Sequence, residues 1–92
     1  MKEKDIEQYL VKRAKDFGIL CYKFTSPARR AVPDRILLAP GGETCFVECK
    51  APGKKPTEAQ ASLHRLFRTQ GHRVEVIDSK EGVDYLMEIL SE

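Results

Sequence analysis

The segment Pro40-Gly41-Gly42-Glu43 constrains the fold of this 92-residue chain more than any other feature. It separates two apolar runs, Asp34 to Ala39 and Thr44 to Lys50, and is too short to do anything but turn the chain back. Proline and glycine favour such a turn, and strands joined so closely pair as an antiparallel hairpin. Pro33 suits the entry to the first run, where no ladder hydrogen bond is lost. The next connection is of the opposite kind. After Lys50 come a loop (51 to 56), a helical pattern ending near Gln70-Gly71, and a further apolar run from Arg73 to Ile77. A strand, a crossover helix and a strand give a parallel pair. A sheet holding both connections is mixed, and helices must cover it.

The remaining elements fit that frame. Ile6, Leu10, Ala14 and Phe17 recur at helical spacing over residues 3 to 17, flanked by Tyr9 and Val11, and Gly18 is a natural stop. Residues 19 to 25 read as a strand and 26 to 32 as a loop. Thr57 has the character of an N-cap, with Gln60 where a capping box expects Glu or Gln. Ala59, Leu63, Leu66, Phe67 and Gln70 lie on or near one face of the helix that follows. Ser79 caps a last helix with Val83, Leu86, Met87 and Leu90 at core spacing. The predicted order is α-β-β-β-α-β-α in one α/β domain spanning 1–92, with the hairpin running from sheet edge to centre.

An apolar fraction of 41% and a charged fraction of 33% suit a folded domain and exclude a disordered one. Cys21, Cys45 and Cys49 form no Cys-x-x-Cys pair. The last two are four apart on a strand, sharing a face but too distant for a disulfide, so buried free thiols in a reducing compartment are expected. The charged N-terminus has no signal-peptide character, and no apolar stretch is long enough to span a membrane.

Asp34 opens the first hairpin strand, while Glu48 and Lys50 are two apart on the second and so share a face with Phe46 and Thr44. Folding about the 40–43 turn returns Asp34 to the end of the sheet where Glu48 and Lys50 lie. Two acids brought together repel unless a proton or a cation intervenes. A hard divalent ion, Mg²⁺ or Mn²⁺, takes oxygen ligands of this kind, and the Cys49 backbone carbonyl between the two charged residues is a further oxygen. Lys50 beside them can help deprotonate a water or stabilise charge on a phosphate. The competing reading is a surface aspartate and a Glu–Lys ion pair.

Glu7 falls beside the apolar stripe of the first helix, placed either to reach such a cation, directly or through water, or to pair with a lysine. Gln60 either closes the capping box or hydrogen-bonds the site. His64 and His72 lack a zinc-like companion cluster and read as structural or DNA-facing. Net charge is only +2, but its distribution is uneven. Arg29, Arg30, Arg35, Lys54 and Lys55 gather at the same end of the sheet, and Arg65 and Arg68 follow on the helix, as residues that would hold phosphates and position DNA.

Taken together, Arg30-Ala31-Val32-Pro33-Asp34-Arg35, Phe46-Val47-Glu48-Cys49-Lys50 and Pro56-Thr57 with Gln60 make the chain resemble the VRR-NUC domain family (virus-type replication-repair nucleases), a branch of the PD-(D/E)xK nuclease superfamily. Pro33-Asp34 looks like the superfamily's Pro-Asp, and Glu48-Cys49-Lys50 like its acid-x-Lys. Glu7 matches the acid on the family's first helix, and Gln60 its glutamine after the lysine. The family commonly has glycine where this chain has Ala31, which would matter if that position needed positive φ.

The resemblance spans nearly the whole chain. It implies a restriction-endonuclease-like sheet and a phosphodiesterase dependent on a divalent metal. Asp34 and Glu48 would bind that metal, Lys50 would assist the water, and Glu7 and Gln60 would complete the site. It further implies a homodimer acting on branched DNA such as Holliday junctions, in the cytoplasm of a bacterium or a phage-infected host, with no membrane partner. The rival readings are a non-catalytic DNA-binding or assembly module on the same fold, and a nuclease for flaps or RNA.

Overall fold

The computed structural model describes all 92 residues. Helix α1 (Glu3–Asp16) is followed by β1 (Leu20–Lys23), β2 (Arg35–Leu38), β3 (Thr44–Cys49), α2 (Glu58–Thr69), β4 (Arg73–Ile77) and α3 (Lys80–Leu90). The element order expected from sequence is the order observed. The four strands form one sheet in the order β1-β2-β3-β4. β2 pairs antiparallel with β1 and with β3, and β3 pairs parallel with β4. The hairpin is not an edge feature: β1 adds outside β2, so both hairpin strands lie inside the sheet.

Strand alternation divides the structure into two layers around the sheet. Cys45, Val47 and Cys49 are fully buried in a core with Ile6, Leu10 and Ala14 of α1 and Val83, Leu86, Met87 and Leu90 of α3. The intervening Phe46 faces the other way, under α2. Its ring lies 5.0 Å from that of Phe67 on α2 and 5.2 Å from that of Phe24. Tyr9 Oη and Arg13 Nε on α1 both donate to Asp84 of α3, tying together the two helices that share a face.

Local chemistry sets the ends of the elements. Gly18 takes φ +70° after α1, a conformation that favours glycine. Thr57 and Gln60 form the capping box: Thr57 Oγ1 accepts the Gln60 N–H at 3.2 Å and Gln60 Oε1 accepts the Thr57 N–H at 2.9 Å. Ser79 Oγ accepts the Gly82 N–H and caps α3. No non-glycine residue has positive φ, so alanine at position 31 is unstrained.

The strands are shorter than the apolar runs that announce them. At Asp34 the chain still bonds β1, its carbonyl accepting the Phe24 N–H, but on the β3 side its carboxylate in place of its backbone takes the Cys49 N–H, and β2 begins at Arg35. The inward stripe of α2 also differs from expectation. Leu63 and His64 are buried, whereas Ala59, Leu66 and Gln70 are exposed. Helix α2 thus presents Gln60, Leu63, His64 and Phe67 to the sheet. All three cysteines are free. Burial pushes the Cys45 thiol up to about 12 and Cys49 upward as well, so both are protonated thiols at neutral pH.

Candidate active site

Asp34 and Glu48 meet because of where the hairpin ladder stops. Its last pair is Arg35 with Val47, so the next positions outward are Asp34 and Glu48, opposite one another on the face toward α2. Instead of continuing the ladder, Asp34 Oδ2 accepts the Cys49 N–H at 2.9 Å. This contact satisfies a β3 donor and fixes the Asp34 carboxylate beside Glu48.

Glu48 is 1% exposed. Its Oε2 accepts a hydrogen bond from Gln60 Nε2 at 3.2 Å and lies 3.8 Å from Lys50 Nζ. Its Oε1 has no hydrogen-bond partner and lies 3.8 Å from His64 Nε2, which is likewise buried and unpartnered. Burial first, and then the charge of Asp34, push Glu48 up to about 8, while Lys50 pulls the other way. His64 is held below the usual imidazole range, chiefly by burial and then by the charges of Arg68 and Lys50. A neutral imidazole cannot supply the positive charge that Glu48 lacks. Metal-free, the site therefore holds a carboxyl that is largely protonated at neutral pH, with one oxygen unused.

The Gln60 side chain performs both functions suggested by its sequence position. Its carbonyl oxygen closes the capping box while its amide nitrogen holds Glu48. The start of α2 is thereby coupled to the site by a single side chain. His64 stands one turn further along the same helix face, four residues on, and is brought to Glu48 by the same geometry.

The structure does not bring Glu7 into this group. Arg35 alternates to the α1 side of the sheet, and its Nε donates to Glu7 Oε2 at 2.7 Å, joined by Lys23 Nζ at 3.0 Å. Burial alone would raise Glu7, but the hydrogen bonds and charges of Lys23 and Arg35 outweigh it and hold the carboxyl below its usual range. Nor do any three His, Cys, Asp or Glu side chains converge so as to hold a metal on side chains alone.

The basic residues fall into two sets. Arg29, Arg30, Lys54 and Lys55 are exposed and form no ion pair, leaving them available to phosphates. Three others are engaged within the protein. Arg35 is held by Glu7, Arg68 donates to the Val74 carbonyl at 2.7 Å, and Arg65 donates to Ser62 Oγ at 3.0 Å.

No protein-family model matches the chain. It is 47% identical over 81 residues to a protein of Acyrthosiphon pisum secondary endosymbiont phage 1 named "Putative nuclease p44", covering 88% of this chain and 87% of that one. It superposes on a solved structure described as a VRR_NUC domain with a TM-score of 0.88 and 34% identity, covering 96% of each chain. No helix is long and apolar enough to cross a membrane. With so large a share of both relatives matched at these identities, the chain belongs to the VRR-NUC family of nucleases, within the PD-(D/E)xK superfamily.

Proposed function

We propose that this chain is an endonuclease that hydrolyses phosphodiester bonds in branched DNA, using Mg²⁺ or Mn²⁺ held by the carboxylates of Asp34 and Glu48 and the backbone carbonyl of Cys49. The observation that carries the reading is the unpartnered Glu48 Oε1. A fully buried carboxyl oxygen without a donor, on a side chain whose neighbour is a second carboxylate, is costly as it stands and fits a cation that replaces the proton. The donors are hard oxygens, and two carboxylates with a carbonyl leave the rest of the coordination sphere to water and substrate, as suits Mg²⁺.

Such an ion would supply Lewis acidity toward the phosphate and make a water easier to deprotonate for attack at neutral pH. The protein's own groups do the rest. Asp34 is fixed by the Cys49 N–H, Glu48 by Gln60, and both presented oxygens gain precision from those contacts. Lys50 lies close to the acids without a tight partner, free to orient the water or neutralise charge on the phosphate. Glu7, with its carboxylate taken by Arg35 and Lys23, braces the Asp34 end of β1 and β2 rather than serving as a ligand. Arg29, Arg30, Lys54 and Lys55 hold the flanking backbone. A two-fold homodimer supplies the second site that symmetric cutting of a junction requires.

A substrate panel tests this reading. Four-way junction, flap, nicked duplex, single-stranded DNA and RNA are each incubated with Mg²⁺, Mn²⁺ or EDTA, and the protein is sedimented alone and with junction DNA. Metal-dependent cutting that favours branched DNA, by a dimer, is expected. Undiminished cutting in EDTA overturns metal dependence, cutting confined to RNA overturns the DNA assignment, and a strict monomer overturns paired incision.

A further inference from the structure

A cleft of about 300 Å³ opens beside Asp34, lined by Phe24, Thr25, Ser26, Arg29 and Arg30 among others. It is separate from the buried contacts of Glu48, and three features give it a chemical character. First, Asp34 forms part of its wall, and the Phe24 N–H is bonded to the Asp34 carbonyl at 2.9 Å, so the cleft is continuous with the candidate catalytic end of the sheet. Second, its two arginines are exposed and have no acidic partner, whereas most other arginines are paired or bonded within the protein. Third, a half-buried aromatic ring, Phe24, lies in the same wall, backed by Phe46 at 5.2 Å and so held in place.

An anchored ring, hydroxyl groups and two free guanidinium groups around a space of this size match the parts of one nucleotide. The ring offers a face or edge to a base, and the arginines suit a phosphate. We propose that the cleft holds one unpaired nucleotide of the strand being cut, with its base against Phe24 and its phosphate against Arg29 and Arg30. The inference rests on the nuclease reading and deepens it by naming what must flank the scissile bond. A base still paired in a duplex cannot reach the ring without leaving the stack, which costs a few kcal/mol. The cleft therefore selects nucleic acid with an unpaired base next to the cut.

The test is binding without metal, so it does not depend on cleavage. Short DNA oligonucleotides carrying 2-aminopurine, single-stranded or annealed to a complement, are titrated with the wild-type protein, Phe24→Leu, Phe24→Tyr and the double variant Arg29→Ala/Arg30→Ala. Wild type is expected to bind the single strand at least about tenfold more tightly than the duplex and to change the 2-aminopurine fluorescence, as stacking on a ring does. Phe24→Leu should lose about tenfold in single-strand affinity and lose the fluorescence change with duplex affinity unaltered, while Phe24→Tyr keeps both. The arginine variant, altered only at exposed positions, should bind the single strand more weakly and with a shallower salt dependence.

Equal affinity of the wild type for single strand and duplex, or Phe24→Leu behaving as wild type, overturns the subsite. If that result comes with normal metal-dependent cutting, the subsite alone falls and the nuclease reading stands. Absence of cutting on every substrate overturns the nuclease reading on which the subsite rests.

Discussion

Lys50→Ala should cut no substrate at a rate above about a hundredth of the wild type, while melting within a few degrees of it. The expected loss follows from its position. Lys50 is the cation paired with the buried Glu48, and removing a single group that stabilises transition-state charge costs roughly a hundred- to a thousandfold in rate. The fold should tolerate the change, because the only charged contact Lys50 makes is with Glu48 at 3.8 Å, too long for a strong ion pair. Asp34 needs a more careful substitution. Its carboxylate accepts the Cys49 N–H, so Asp34→Ala strands a backbone donor as well as removing a charge, at about 1–3 kcal/mol. Asp34→Asn keeps an oxygen acceptor for that N–H and removes the charge alone. It should be as inactive as Asp34→Ala and measurably more stable. Rates on junction DNA and thermal melts of the three variants check both halves. Wild-type cutting by Asp34→Asn or Lys50→Ala would remove these residues from the chemistry.

Glu48→Gln should give the opposite combination, an inactive protein that is more stable than the wild type when metal is absent. Glu48 rises from the ordinary 4.5 to about 8 on folding, mainly through burial and the charge of Asp34. Between those values the folded chain retains a proton that the unfolded chain has released. Stability of the metal-free wild type must therefore fall as pH rises through this window and level off above about 8. The slope approaches about 1.4 kcal/mol per pH unit, and the accumulated loss is on the order of a few kcal/mol. Glutamine resembles the protonated acid and has no proton to lose. The substituted amide oxygen can still accept from Gln60, so Glu48→Gln should show a flatter profile and gain most over the wild type near pH 8. Melting curves in EDTA across the window measure this directly. Parallel pH profiles for the two proteins would show that Glu48 is not the strained group.

Much of the fold could be read from local chemistry, because the decisive signals were short in range. The turn at Pro40-Gly41-Gly42-Glu43 fixed the hairpin, period-two alternation put Glu48 and Phe46 on the face opposite Val47 and Cys49, and Thr57 with Gln60 announced the start of α2. The meeting of Asp34 and Glu48 followed from turn position and alternation. Features that depend on which surfaces finally face each other were less accessible. The position of β1 outside β2, which makes the hairpin interior, is a tertiary choice that no local motif encodes.

The same limit explains two side chains at the site. The helical pattern of α2 extends over Ala59, Leu66 and Gln70, which are exposed, and so leaves its orientation blurred. Only the narrower set of Gln60, Leu63, His64 and Phe67 directs His64 to Glu48, and its spacing from Gln60 was the available clue. Glu7 lies beside the apolar stripe of α1, as its spacing predicts. Its capture by Arg35 could have been anticipated from alternation, since Arg35 must face the side opposite Asp34, where α1 lies. The sequence position of Gln60 suggests two alternative roles, yet an amide has both an acceptor and a donor end, and the protein uses each.

Calorimetric titration of Mn²⁺ into the wild-type protein and into Glu48→Gln at pH 7, each in two buffers of different ionisation enthalpy, goes to the heart of the proposal. The wild type should bind the ion and release close to one proton to the buffer as the cation displaces it from Glu48, while Glu48→Gln should bind far more weakly and release none. Equal affinity in both proteins, or binding by the wild type without proton release, would contradict a divalent ion seated between Asp34 and Glu48.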